Sequence, residues 1–201
     1  MMNTKLFVGL TFYPDNSFAK KIEHFRSRFD PKYNSNSHLL LPIIPPFEIP
    51  FSESKKLAQE LVEELESFYF DNLENHVMKF SELDVHEYKK DKILHLNPLI
   101  ESELAFCQES IFSICQSYIV EREKKLKPDK KTFMTIGRFS TEQDLHFAFE
   151  HAQSEFQQFS GLPFESICLF KQNNGIWHRE ADLITFKRPT EEFLQSLEVT
   201  L

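Results

Sequence analysis

A strand, a helix and a hairpin follow one another twice along this chain, and that repeated order limits the fold more than any other feature. The first round begins at Ser37-His38-Leu39-Leu40-Leu41-Pro42-Ile43-Ile44, a short apolar run closed by Pro45-Pro46, since proline has no N–H to give to a sheet ladder. Ser52 offers a cap for a helix striped by Leu57, Leu61, Val62, Leu65, Phe68 and Tyr69, at the three- and four-residue spacing of one helix face. Val77 to Val85 and Lys92 to Leu96 then read as a hairpin. The second round begins at Lys131-Thr132-Phe133-Met134-Thr135-Ile136-Gly137-Arg138. Ser140 and Gln143 have the spacing of a capping box, and Leu145, Ala148, Phe149, Ala152, Phe156 and Phe159 make the next stripe. Ser166 to Phe170 and Ile176 to Phe186 form the second hairpin, turned at Asn173-Asn174-Gly175. A short helix is expected after Pro189.

The remaining elements frame these two rounds. Lys5 to Phe12 is an apolar strand, and Phe18, Ile22, Phe25 and Phe29 follow at helical spacing until Asp30-Pro31, where the residue before proline leaves the helical region. A third helix, from about Pro98 to Glu121, carries Leu104, Cys107, Ile111, Ile114, Cys115 and Tyr118 on one face. Two hairpins require antiparallel pairing. The expected class is therefore α+β: two similar lobes of mostly antiparallel sheet with helices outside, forming one unit over residues 1–201. The 22 Phe residues would fill space between sheet and helices.

Composition excludes several functions. With only 4 Gly, the chain has neither the dinucleotide-binding nor the phosphate-loop glycine pattern. A net charge of −8 repels polyanions at long range, so a DNA duplex is not an expected partner; contact with RNA would have to be local. Lysines cluster at Lys124, Lys125, Lys127, Lys130 and Lys131, a solvated helix end and loop on the plain reading, or a phosphate-attracting rim. Cys107, Cys115 and Cys168 lack metal-type spacing. The first two sit about 12 Å apart along a helix, too far to bridge. An odd number of thiols without a signal sequence leads to the expectation of a reducing cytoplasm, and no apolar stretch reaches membrane-spanning length. His146 and His151 are five apart and do not share a helix face well enough for a metal site. Nothing points to a metal, flavin or nicotinamide requirement.

The order of elements, with His38-Leu39-Leu40-Leu41, Ile93-Leu94-His95-Leu96-Asn97-Pro98 and Phe133-Met134-Thr135-Ile136-Gly137-Arg138, resembles the 2H phosphoesterases, the fold family of 2′-5′ RNA ligases and cyclic phosphodiesterases. That family carries two His-x-Thr/Ser-x motifs, one on each lobe, facing each other across a cleft. The resemblance implies that His38 and Thr135 lie on strands of different lobes and face one groove. In an intact member it implies two imidazoles and two hydroxyls around one phosphate, one imidazole taking a proton from the attacking oxygen and the other giving one to the leaving oxygen. Histidine suits both tasks because its pKa lies near neutrality.

Both motifs are damaged here. Leu40 stands where the first hydroxyl belongs, and Phe133 where the second imidazole belongs. Phenylalanine transfers no proton, and losing one such group costs about 10²–10⁴-fold in rate. His95 and His178 are the other histidines that could reach the groove, although a lone strand histidine reads first as a surface or satisfied core residue. Arg138 either contacts phosphate, as a bidentate guanidinium can, or pairs with an acidic residue. Trp177 either stacks on a base or packs on the sheet. Three readings follow: a weakened or inactive relative that binds a nucleotide or RNA terminus; an active hydrolase of 2′,3′-cyclic phosphate or 2′-5′-linked ends using His38 and Thr135; or a protein-interaction module with a closed former site.

Overall fold

In the computed structural model the described residues are 2–33, 39–68, 76–88, 90–119, 132–157, 161–190 and 192–194. His38, the whole lysine cluster, Tyr69 and Phe159 lie outside them. The elements are β1 (Asn3–Phe12), α1 (Ser17–Phe29), β2 (Leu40–Pro50), a 3₁₀ turn (Phe51–Glu53), α2 (Ser54–Ser67), β3 (Val77–Tyr88), β4 (Asp91–Leu99), α3 (Ser102–Tyr118), β5 (Met134–Phe139), α4 (Glu142–Glu155), β6 (Leu162–Asn173) and β7 (Ile176–Thr185). The expected α+β class holds: the ladders are antiparallel and the strands run in the order β2-β1-β6-β3-β4-β5, with β7 on β6.

Read in chain order, β1-α1-β2-α2-β3 and β4-α3-β5-α4-β6 are two copies of one pattern. Each copy lends its last strand to the other. β3 pairs with β4, and β6 pairs with β1. The rounds seen in sequence are thus not the lobes seen in space: β1, β2, β6 and β7 form one sheet, and β3, β4 and β5 the other. A two-residue ladder, Val77 with Pro163 and Met78 with Leu162, joins them. The first helix of each copy crosses over too. α1 packs on β5 and α3 on β2, while α4 packs on β4 and β5 and α2 on α3 and β7. One apolar core takes in Leu6, Val8, Leu10, Leu94, Leu96, Met134 and Ile136 from the strands. Ile22, Phe25, Leu57, Leu61, Ile111, Leu145 and Ala148 meet them from the helices. Burial on this scale is the main stabilising term of the fold.

Several local expectations are corrected. Pro45-Pro46 does not end β2; Leu6 faces Phe47 and Val8 faces Ile44, so both prolines fall in a bulge of an edge strand, where no ladder N–H is needed. Ser52 caps nothing: it lies in the 3₁₀ turn, and Ser54 Oγ donates to the Phe51 carbonyl instead. Pro98 and Leu99 still belong to β4, so α3 begins at Ser102. Thr141, not Ser140, caps α4, its hydroxyl accepting the Asp144 N–H at 3.1 Å. The turn at Asn174 and Gly175 is as expected, with φ of 50° and 82°, the left-handed pair that a two-residue hairpin loop needs.

Among the polar contacts that span the two copies, one holds the end of α1. α1 ends at Asp30, whose side chain is fully buried. Arg138 Nη1 donates to its two oxygens at 2.6 and 2.5 Å, and the Lys32 N–H donates at 3.0 Å. Gly137 makes this approach possible, because a Cβ there would stand 3.2 Å from the Phe29 carbonyl oxygen and closer still to the Phe139 ring. Asp30→Asn removes the charge from a buried acceptor that holds a guanidinium; a loss of about 2–3 kcal/mol is expected. A urea denaturation midpoint indistinguishable from that of the native chain would contradict it.

Candidate functional site

The ladders place the motif residues without reference to any relative. Residues directly opposite in an antiparallel pair project to the same face. Leu40 faces Thr11, and Thr11 faces Ser166. Thr135 faces His95, and His95 faces Asp84. Each sheet therefore carries a three-residue row beginning at a motif position: Leu40–Thr11–Ser166 on one, Thr135–His95–Asp84 on the other. Their chain neighbours Leu10, Leu41, Leu96 and Met134 are buried in the core beneath the helices. Successive strand residues alternate in direction. Both rows accordingly lie on the faces turned away from the helices.

The first row has become a closed network with an aromatic border. Thr11 and Ser166 are fully buried, their hydroxyls 2.8 Å apart. Arg179 Nη2 donates to Ser166 Oγ at 2.8 Å, and Cys168 Sγ lies 2.9 Å from that oxygen. Arg179 Nε donates to Asp182 Oδ1 at 2.5 Å, and Nη1 lies 3.5 Å from Glu165. Burial pushes the Asp182 carboxyl up, but the hydrogen bonds from Arg179 and Cys168 outweigh it and the net shift is downward. Two carboxylates thus offset the one guanidinium here. Beside this network Phe7 stacks on Phe170 at 4.6 Å and meets Trp177 edge-on at 4.7 Å. Leu40, partly exposed, packs against this cluster. Trp177 is therefore a sheet-packing residue.

The second row is different in kind. Thr135 and Phe133 are both partly exposed, and Phe133 precedes the β5 ladder. The Phe133 ring stacks on the His95 imidazole with centroids 4.4 Å apart and planes at 21°. It also lies 5.5 Å from the His86 ring. His95 is 4% exposed. Asp84, at the far end of the row, is exposed and accepts the Val85 N–H at 2.7 Å. This row therefore holds a hydroxyl, an imidazole and a carboxylate side by side across three strands.

The positions read from sequence are thus partly gathered. Leu40 and Thr135 lie on strands of different sheets, each on the face away from the helices. His38 lies outside the described residues. Arg138 is engaged by Asp30 through Nη1, with its side chain 24% exposed. His178 is exposed and faces Lys171, one residue out of phase with Phe170 and so on the opposite side from the aromatic cluster. His95 is the group whose placement sequence reasoning missed. Leu94 faces Gly137 but His95 faces Thr135, so Ile136 is bulged out of the ladder. That one extra residue sets His95 opposite Thr135 rather than opposite Ile136. Among the described residues, no group of three or more His, Cys, Asp or Glu side chains could hold a metal ion, and no helix is long and apolar enough to cross a membrane.

The arrangement defines an α+β fold of two antiparallel lobes related by the repeated βαβαβ pattern. Among solved structures, Usb1 of Kluyveromyces marxianus is similar, with a TM-score of 0.50 over 87% of this chain and 96% of that one at 11% identity. At that identity the likeness is one of fold. No protein-family model and no curated protein matches the sequence.

The three thiols give a direct check on these surroundings. Burial pushes Cys107 and Cys115 up to about 12 and Cys168 to about 11. At pH 8 the Cys168 thiolate is then about one part in a thousand. All three cysteines should resist alkylation in the native chain and react together on unfolding. Rapid labelling of Cys168 in native protein would show that the Ser166–Arg179–Asp182 network is open.

Proposed function

We propose that this chain is a 2H phosphoesterase-like protein with a degraded two-histidine site. Its cleft binds a nucleotide or RNA terminus, and it turns over phosphoesters weakly or not at all by the two-motif route. The observation that carries this reading is the chemistry of the two motif positions in place. At one, Leu40 has joined an aromatic cluster. At the other, Phe133 lies flat on an imidazole instead of being one. Neither side chain can move a proton or hold a phosphate oxygen. Thr135 survives two residues from Phe133 as a partly exposed hydroxyl able to donate to a non-bridging oxygen.

Electrostatics limit the ligand. The chain's charge of −8 opposes a long polyanion, so a mononucleotide or one terminus suits the cleft better than a duplex. The reading requires binding without efficient turnover.

Titration calorimetry with a nucleoside 2′-monophosphate should give saturable binding that Thr135→Val weakens about tenfold or more, the loss of one hydrogen bond to a charged oxygen. In parallel, the Leu40→Thr/Phe133→His pair should hydrolyse a nucleoside 2′,3′-cyclic phosphate about 10²–10⁴-fold faster than the native chain. Native turnover that the restoring pair leaves unchanged, and that His38→Ala abolishes, would favour the active hydrolase. No binding by the native chain would favour an interaction module instead.

A further inference from the structure

One row holds a proton-transfer group that neither motif supplies. We infer that His95 is the catalytic base of this cleft for the residual hydrolysis of a phosphoester bound over Thr135. The inference rests on the reading that the cleft takes a phosphate-bearing ligand, and it assigns to a non-motif strand the chemistry that Phe133 has lost.

Three observations carry it. First, register: the bulge at Ile136 sets His95 directly opposite Thr135, so the imidazole and the surviving hydroxyl share the cleft face. Neighbouring strands lie about 4.8 Å apart, so a phosphate oxygen held by Thr135 is within reach of a water held by His95. Second, flanking charge: Asp84 faces His95 from the other side. A carboxylate in the same row is placed to offset the positive charge that an imidazole gains when it accepts a proton. Third, cover: Phe133 lies over the imidazole at 4.4 Å, and His95 is 4% exposed. Phe133 precedes the β5 ladder, so removing its ring breaks no strand pairing. The pseudo-symmetric counterpart of His95 is Thr11, sealed in the Ser166–Arg179 network. The two rows thus share a geometry but not a chemistry.

The step balances with one histidine. A ring nitrogen of His95 takes a proton from water as that oxygen bonds to phosphorus. The P–O bond to one sugar oxygen of a 2′,3′-cyclic phosphate breaks, and the leaving oxygen takes a proton from solvent. The imidazolium then returns its proton to solvent, leaving a phosphomonoester and the neutral ring. Because nothing in this step protonates the leaving oxygen directly, turnover is slow.

The test measures hydrolysis of a nucleoside 2′,3′-cyclic phosphate and binding of the same nucleotide on the same samples. Phe133→Ala, which uncovers His95, should raise kcat about tenfold or more by enlarging the competent fraction. Adding His95→Gln to that variant should lower it about 10²-fold while binding persists. Exogenous imidazole should restore turnover to Phe133→Ala/His95→Gly, a response that a merely structural histidine would not give. A Phe133→Ala chain that binds nucleotide but hydrolyses it no faster than the native chain overturns the inference and leaves the binding reading standing. Turnover in Phe133→Ala that His95→Gln leaves intact also overturns it. Absence of binding in every sample overturns both.

Discussion

Everything in this molecule that bears on function depends on how the two copies of the βαβαβ pattern pair. Had each copy kept its own third strand, β3 would lie beside β1, and β6 beside β4. Instead β6 pairs with β1 and β3 with β4. That exchange brings Ser166 beside Thr11 and Asp84 beside His95. α1 follows the same logic, leaving β1 to pack on β5. Its end is held there by the buried Asp30 carboxylate and Arg138. A buried carboxylate costs several kcal/mol to desolvate, and only a well-aligned partner with further donors offsets that. The guanidinium and the Lys32 N–H meet that condition.

The fold was largely legible in the sequence because its signals are local. The Asn174-Gly175 turn, the stop at Asp30-Pro31 and the stripes Leu57–Leu61–Leu65 and Leu145–Ala148–Ala152 each depend on a few adjacent residues. The misplaced boundaries were those that tertiary structure decides. Two prolines look like a strand end until β2 proves to be an edge strand with a bulge for them. Ser52 and Ser140 look like caps until a 3₁₀ turn and Thr141 take those places.

The site was legible only in part, for a related reason. The motif spacing singled out Leu40, Phe133 and Thr135, because residues two apart on a strand share a face whatever that strand pairs with. His95 could not be placed by the same rule. Alternation puts it on the side away from Leu94 and Leu96, but only the register against β5, with its bulge at Ile136, sets it opposite Thr135. Likewise nothing in the local sequence of Arg138 says that its partner is Asp30, 108 residues away.

The two rows show how differently one geometry can be filled. Around Thr11 the donors and acceptors meet one another, and an aromatic cluster borders them. Around His95 the row still holds a hydroxyl, an imidazole and a carboxylate. A cleft of this kind should take its ligand on the second row, beneath the Phe133 ring. Mapping amide shifts in ¹H–¹⁵N spectra while titrating a nucleoside 2′,3′-cyclic phosphate tests this most directly. The account predicts shifts concentrated at Asp84, His95, Phe133 and Thr135. Shifts confined to the helical layer, or a spectrum that the nucleotide leaves untouched, would contradict it.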